Sequence, residues 1–210
     1  MRLPLMLINF EGIDGSGKST QLSRTVAWLT GAKYDVLLTR EPGGTAAGEK
    51  IRELLLDPNS HLTGRAEYLL YSASRAQLVE EILLPHLRKP RAIALVDRYA
   101  DSSTVYQGAG RELGVEEIEA VNVFVTGNLT PDLTLYLDVD YETSVARRLA
   151  TGAAPDRLEQ NPQEFFEAVR QAYIELCRRH PTRVKRIDAR ANEDDVFAQV
   201  KAAIAAHLPV

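Results

Sequence analysis

A chain of 210 residues with 45% hydrophobic and 26% charged side chains is long enough to bury a real core and too apolar for a disordered scaffold. Its 25 basic and 29 acidic residues leave a net charge of −4, so an anionic ligand has to be held by a local cluster, and non-specific coating of nucleic acid is excluded. The single cysteine, Cys177, permits neither an internal disulfide nor a cysteine-built zinc site and fits the reducing cytosol.

The apolar run 3–10 is about half a membrane span and runs straight into Glu11 and Gly12, so it reads as a buried strand and gives no membrane anchor. Further along, short runs rich in Val, Ile and Leu predict strands at 5–10, 35–39, 92–96, 133–138 and 184–187. Each is expected to be buried on both faces, because none alternates cleanly with polar residues. Between them, apolar residues at helical spacing predict helices over 18–30, 48–56, 65–84, 115–126, 141–150, 162–179 and 193–206. This alternation predicts an α/β fold with a five-stranded parallel sheet and helices on both faces. No linker or repeat divides 1–210, so a single domain is expected, and the one loose stretch, Thr151 to Asp156, is a candidate mobile loop.

Gly12-Ile13-Asp14-Gly15-Ser16-Gly17-Lys18-Ser19 matches G-x-x-x-x-G-K-[ST] between a buried strand and a helix. The glycines let consecutive N–H groups face a phosphate, and the helix start adds positive potential. Lys18 can reach the outer phosphates and Ser19 can ligate Mg²⁺, so the expected ligand is a nucleoside triphosphate with magnesium. A lysine at a helix start opposes the dipole unless an anion compensates it, which argues against a solvated Lys18. No guanine-reading N-K-x-D follows a later strand, since Val139-Asp140-Tyr141-Glu142 stands there, and a switch GTPase is thereby disfavoured.

Asp97 is expected at the carboxyl end of a strand, where it can face the magnesium, and the planar fork of Arg98 suits a second phosphoryl group. Tyr71 and Arg75, four apart on one helix, would offer an aromatic plate and a cation to the same ligand.

Taken together, Phe10 to Thr20, then Arg40-Glu41-Pro42-Gly43-Gly44-Thr45, then Asp97-Arg98-Tyr99 with Ser102-Ser103 and Tyr106-Gln107-Gly108 resemble the thymidylate kinases over nearly the whole chain. The resemblance implies transfer of the γ-phosphoryl group of ATP to dTMP by a homodimer. It assigns Gly12, Ile13, Asp14, Gly15, Ser16, Gly17, Lys18, Ser19 and Thr20 to ATP, and Lys18 and Arg98 to phosphates. Tyr71 would lie under thymine, with Arg75, Gln107 and nearby Ser103 at its polar edge. Asp14 would meet the 3′-hydroxyl, Tyr106 would crowd the 2′ position, and Pro42 would shape the base pocket. Arg147, Arg148 and Arg157 would belong to a lid at about 147–160, with Arg157 and then Arg148 as the expected catalytic cations. The P-loop lacks the arginine of some members, so the chain resembles the bacterial branch; Ala150 to Pro155 lacks the further arginines common there. A kinase for dUMP, UMP or AMP, or a nucleotide-dependent regulatory ATPase, are the rival readings.

Overall fold

Among the described residues five strands form: β1 (Met6–Glu11), β2 (Asp35–Arg40), β3 (Ala92–Asp97), β4 (Leu133–Asp138) and β5 (Val184–Asp188). They are seen in a computed structural model that describes residues 6–152 and 155–208. Leu5 of the first expected strand, and Ala153 and Ala154 of the loose stretch, lie outside the described residues. All pairings are parallel, in the order β2-β3-β1-β4-β5. The chain turns opposite ways after β1 and β3, which are neighbours, so their loops splay apart and leave a crevice at the carboxyl ends. Register sets the level of that crevice: Arg40 pairs with Asp97, and Asp97 with Phe10, the residue before Glu11.

The helices are α1 (Lys18–Gly31), α2 (Ala46–Leu56), α3 (Gly64–Leu78), α4 (Leu84–Leu87), α5 (Ala100–Ser103), α6 (Val115–Val125), α7 (Tyr141–Thr151), α8 (Gln163–Arg179) and α9 (Glu193–Ala205). They cover both faces of the sheet. Met6, Ile8, Ile93 and Leu95 pack with Leu22 and Leu29 of α1 and Val196 and Val200 of α9. Leu7, Ala94 and Val96 pack against Leu78, Val79, Leu83 and Leu87 on the other side. Each such buried Leu, Ile, Val or Met side chain contributes roughly 1.5–3 kcal/mol of transfer free energy.

The structure corrects several sequence expectations. β2 and β5 are the sheet edges, and Leu38 of β2 is 47% exposed, so only the inner strands are buried on both faces. α2 starts two residues early because Thr45 Oγ1 accepts from the Gly48 N–H at 3.0 Å and caps it. The helix expected to end at Leu84 runs on to Leu87 through Pro85, and a π turn over Val79–Leu83 accommodates the hydrogen bond that proline cannot donate. A helical segment without a helical apolar period follows β3: α5 passes into a π turn over Thr104–Gly110.

Candidate active site

The loop after β1 is shaped as its glycines require. Gly15 has φ 80°, and a Cβ there would come within 2.6 Å of the Ser144 carbonyl, so only glycine lets the loop lie on α7. Ser144 Oγ donates to the Asp14 carbonyl at 2.7 Å and ties the two together. At Gly17, φ 92°, the chain turns into α1 with no side chain capping the first turn, and nothing lies within 4 Å of where its Cβ would stand. The N–H groups of that turn are thus offered to an anion. Lys18 is 6% exposed, its ammonium donating to the Gly12 and Ile13 carbonyls at 2.8 and 3.3 Å. Burial, and then the charge of Arg98, lower its pKa.

A cleft of about 800 Å³ opens over this loop, lined by Ser19 and Asp97 and by Arg40, Arg52, Arg98 and Arg147. In a chain of net charge −4, this clustering supplies the local positive field an anion needs. Arg98 adopts φ 68°, unusual outside glycine, and strain of this kind is held by its surroundings. Its N–H donates to the Phe10 carbonyl at 3.0 Å, Nη2 to Asp14 Oδ1 at 2.9 Å, and Nη1 to the Tyr106 hydroxyl at 3.2 Å. Burial alone would raise the Asp14 pKa, but Arg98 and Lys18 outweigh it and hold the carboxyl well below the usual carboxylate range. Burial pushes the Tyr106 hydroxyl up to about 12.

The donor set fits magnesium carried by phosphates. Asp97 Oδ1 is buried and has no hydrogen-bond partner, and it shares the cleft with Ser19. Among the described residues no group of three or more His, Cys, Asp or Glu gathers, as a dedicated all-protein metal cage would need. One carboxylate, one hydroxyl and substrate oxygens suffice for Mg²⁺.

A narrower pocket of about 80 Å³ adjoins the cleft and shares Asp14, Glu41, Arg52 and Arg98 with it. Pro42, Tyr71, Ser103, Tyr106 and Gln107 line it, so five further expected acceptor residues meet here from three separate stretches of the chain. Arg75 lies behind the wall instead. Its guanidinium donates to Glu41 Oε2 at 2.7 Å, to Asn122 Oδ1, to the Tyr99 carbonyl and to Ser103 Oγ at 3.1 Å. Burial pushes Glu41 up to about 7 despite Arg75, and Glu41 Oε1 has no partner.

Asp156 and Leu158 close the pocket, and their segment is bound to α2: Arg157 N–H donates to the Leu56 carbonyl and Nε to the Leu55 carbonyl at 2.7 Å. Arg157 Nη1 pairs with Glu67 Oε2 at 2.7 Å, and Arg148 stands 3.7 Å from Glu159. Neither lines the cleft, yet Arg148 Nε and Arg157 Nη2 are buried without partners. Arg147 does line it and donates to the Ala189 carbonyl at 3.0 Å.

Sequence reasoning missed Arg52, Glu41, Glu11 and Glu67. Glu11 is buried and accepts from Tyr99 N–H, Ser102 N–H, Ser102 Oγ and Tyr173 OH, which pins the start of α5 against the P-loop strand. Glu11 and Glu41 stand inside the family segments without a role assigned to them, and Glu67 stands four and eight residues before Tyr71 and Arg75 on one face of α3.

A sequence model described as thymidylate kinase matches residues 10–200. The chain belongs to the thymidylate kinase family. The kinase is 46% identical to the thymidylate kinase of Thermosipho africanus over 203 residues, 97% of this chain and 99% of that one. It is also 46% identical to that of Deinococcus radiodurans over 199 residues, 95% and 96% of the two chains. The crystal structure of thymidylate kinase from Ehrlichia chaffeensis superposes with a TM-score of 0.75 at 31% identity, covering 95% of the kinase and 98% of that chain. The kinase is therefore a nucleoside monophosphate kinase, a phosphotransferase on the P-loop α/β fold.

Proposed function

We propose that the wide cleft binds ATP with Mg²⁺ and the narrow pocket dTMP, and that the γ-phosphoryl group passes between them to give dTDP and ADP. The observation that carries this reading is Arg98, which with Arg52 lines both spaces where donor and acceptor phosphates have to meet. Gly12 to Thr20 cradle the donor phosphates, with Lys18 on the outer ones. Ser19 and Asp97 hold the metal, which when bound neutralises charge on the phosphate oxygens.

The acceptor is itself an anionic phosphate, so no side-chain nucleophile is needed: its oxygen forms the new bond to phosphorus as the bond to ADP breaks. Catalysis is then positioning and cancellation of charge. Arg98, with Arg40 and Arg52 beside it, holds the acceptor phosphate. Ionised Asp14 accepts from the sugar 3′-hydroxyl, Tyr71 stacks under thymine, Gln107 and Ser103 read its edge with Arg75 behind them, Pro42 shapes the base site, and Tyr106 occupies the space a 2′-hydroxyl would need. The pocket is far smaller than the roughly 300–1,000 Å³ of ordinary ligand sites, so the segment carrying Asp156 and Leu158 lifts for entry. Residues 147–160 act as this lid on a single kinase domain, and Arg148 and Arg157 keep a free donor each for the reacting phosphates. A coupled assay tests the reading: ADP release should depend on added dTMP, whereas equal release without it would favour a regulatory ATPase.

Exposed Leu54, Leu69, Val121, Val123 and Phe124, the last 86% exposed, crowd α2, α3 and α6 and support a homodimer through those helices. Light scattering at low micromolar concentration should return twice the 23.3 kDa chain mass, and the chain mass alone would contradict it. Among the described residues no helix is long and apolar enough to cross a membrane, and with one cysteine the enzyme fits the cytosol, where cell fractionation should recover it.

A further inference from the structure

Glu67 is a fully buried carboxylate that the reaction does not require. It lies on α3 one turn before Tyr71, and its oxygens gather three side chains from distant parts of the chain. Oε1 accepts from Gln107 Nε2 at 2.8 Å and from Arg111 Nε at 3.3 Å; Oε2 accepts from Arg111 Nη2 at 3.2 Å and from Arg157 Nη1 at 2.7 Å. Burial opposes its charge, but the hydrogen bonds from Gln107 and Arg111 outweigh that and hold its carboxyl below the usual range.

An ionised carboxylate only accepts, so the half of the Gln107 amide that faces it has to be the NH₂. Gln107 also lines the nucleoside pocket, and with one N–H of its amide nitrogen held by Glu67 on one side, the carbonyl oxygen on the other side of the amide is the acceptor it offers a ligand there. An unheld amide could turn over with almost no change of shape and present donors instead. The two orientations ask for opposite bases. A pyrimidine with hydrogen on N3 can donate to the oxygen, whereas one with a lone pair on N3 would meet that oxygen lone pair to lone pair.

We propose that Glu67 is a specificity-positioning residue: by holding the Gln107 NH₂ it keeps an acceptor facing the base, and so selects 3-NH pyrimidines of the thymine kind over cytosine. This rests on the narrow pocket being the nucleoside site. Glu67 also grips Arg157, so the lid and the base reader share one anchor.

The test is the ratio of kcat/KM for dTMP to that for dCMP, measured in the wild-type enzyme and in Glu67→Gln. The substituted amide can accept from Gln107 or donate to it, which frees Gln107 to present either face. The ratio should fall at least about tenfold, since discrimination built on a fixed hydrogen-bonding group is lost with its fixing. A merely structural role would lower both substrates by the same factor, and an unchanged ratio overturns the proposal. If E67Q does not fold, Glu67→Asp carries the test, because it keeps a charge for the arginines but withdraws it from Gln107 by about one carbon–carbon bond, ~1.5 Å; failure of both variants to fold would make Glu67 a residue of the fold and overturn the proposal. A wild-type enzyme that does not phosphorylate dTMP would instead defeat the functional reading itself.

Discussion

Lys18→Ala is expected to lower kcat by at least ~10³, about 4 kcal/mol of barrier, with the fold retained. The side chain is buried in the loop rather than in the core, and its partners are the Gly12 and Ile13 carbonyls and Asp14 at 3.7 Å. A buried ammonium held only by loop carbonyls and one acidic neighbour is poised for a stronger anion, which the donor phosphates provide in the proposed reading. Turnover and thermal melting are read on the same preparation. Near wild-type turnover would contradict the P-loop assignment.

Arg98→Ala should be as damaging, with kcat/KM for dTMP reduced by at least ~10³. The loss has two parts. The fork proposed to span the acceptor phosphate disappears, and Asp14 and the Tyr106 hydroxyl lose the cation that aligns them. Arg98→Lys should restore little, because a point charge cannot donate to Asp14, Tyr106 and a phosphate in one plane. Affinity for ATP in the absence of dTMP should change far less, which separates this effect from that of Lys18. Full rescue by lysine would show that only the charge at 98 matters.

How much of this was legible beforehand follows from where each hydrogen bond goes. The P-loop could be read because its constraint is local: Gly15 and Gly17 adopt positive φ, and a strand and helix flank them within a few residues. All five strands were legible as apolar runs, while which two of them form the edges was not, since strand order, and hence the exposure of Leu38, is settled by tertiary packing. The Ala100–Gly110 segment was invisible. Its run of Asp101, Ser102, Ser103 and Thr104 has poor helix propensity, and its first turn is held by Glu11, about ninety residues away in sequence, at 3.0 Å to Tyr99 and 3.1 Å to Ser102. Arg75 and Tyr71 read alike as ligand residues from their spacing, yet four separate acceptors draw Arg75 behind the pocket wall while Tyr71 lines it.

In the proposed reading, one arginine-lined junction passes phosphate from ATP to an acceptor chosen by its thymine base and its deoxyribose. The most direct measurement is kcat/KM of the wild-type enzyme for dTMP, dUMP, dCMP and the ribose counterpart of dTMP at saturating ATP and magnesium. dTMP is expected first, with dUMP behind it by the loss of one methyl contact. dCMP should be rejected by the oxygen of Gln107, and the ribonucleotide by the ring of Tyr106. Equal use of dCMP and dTMP, or a preference for the ribonucleotide, would contradict it.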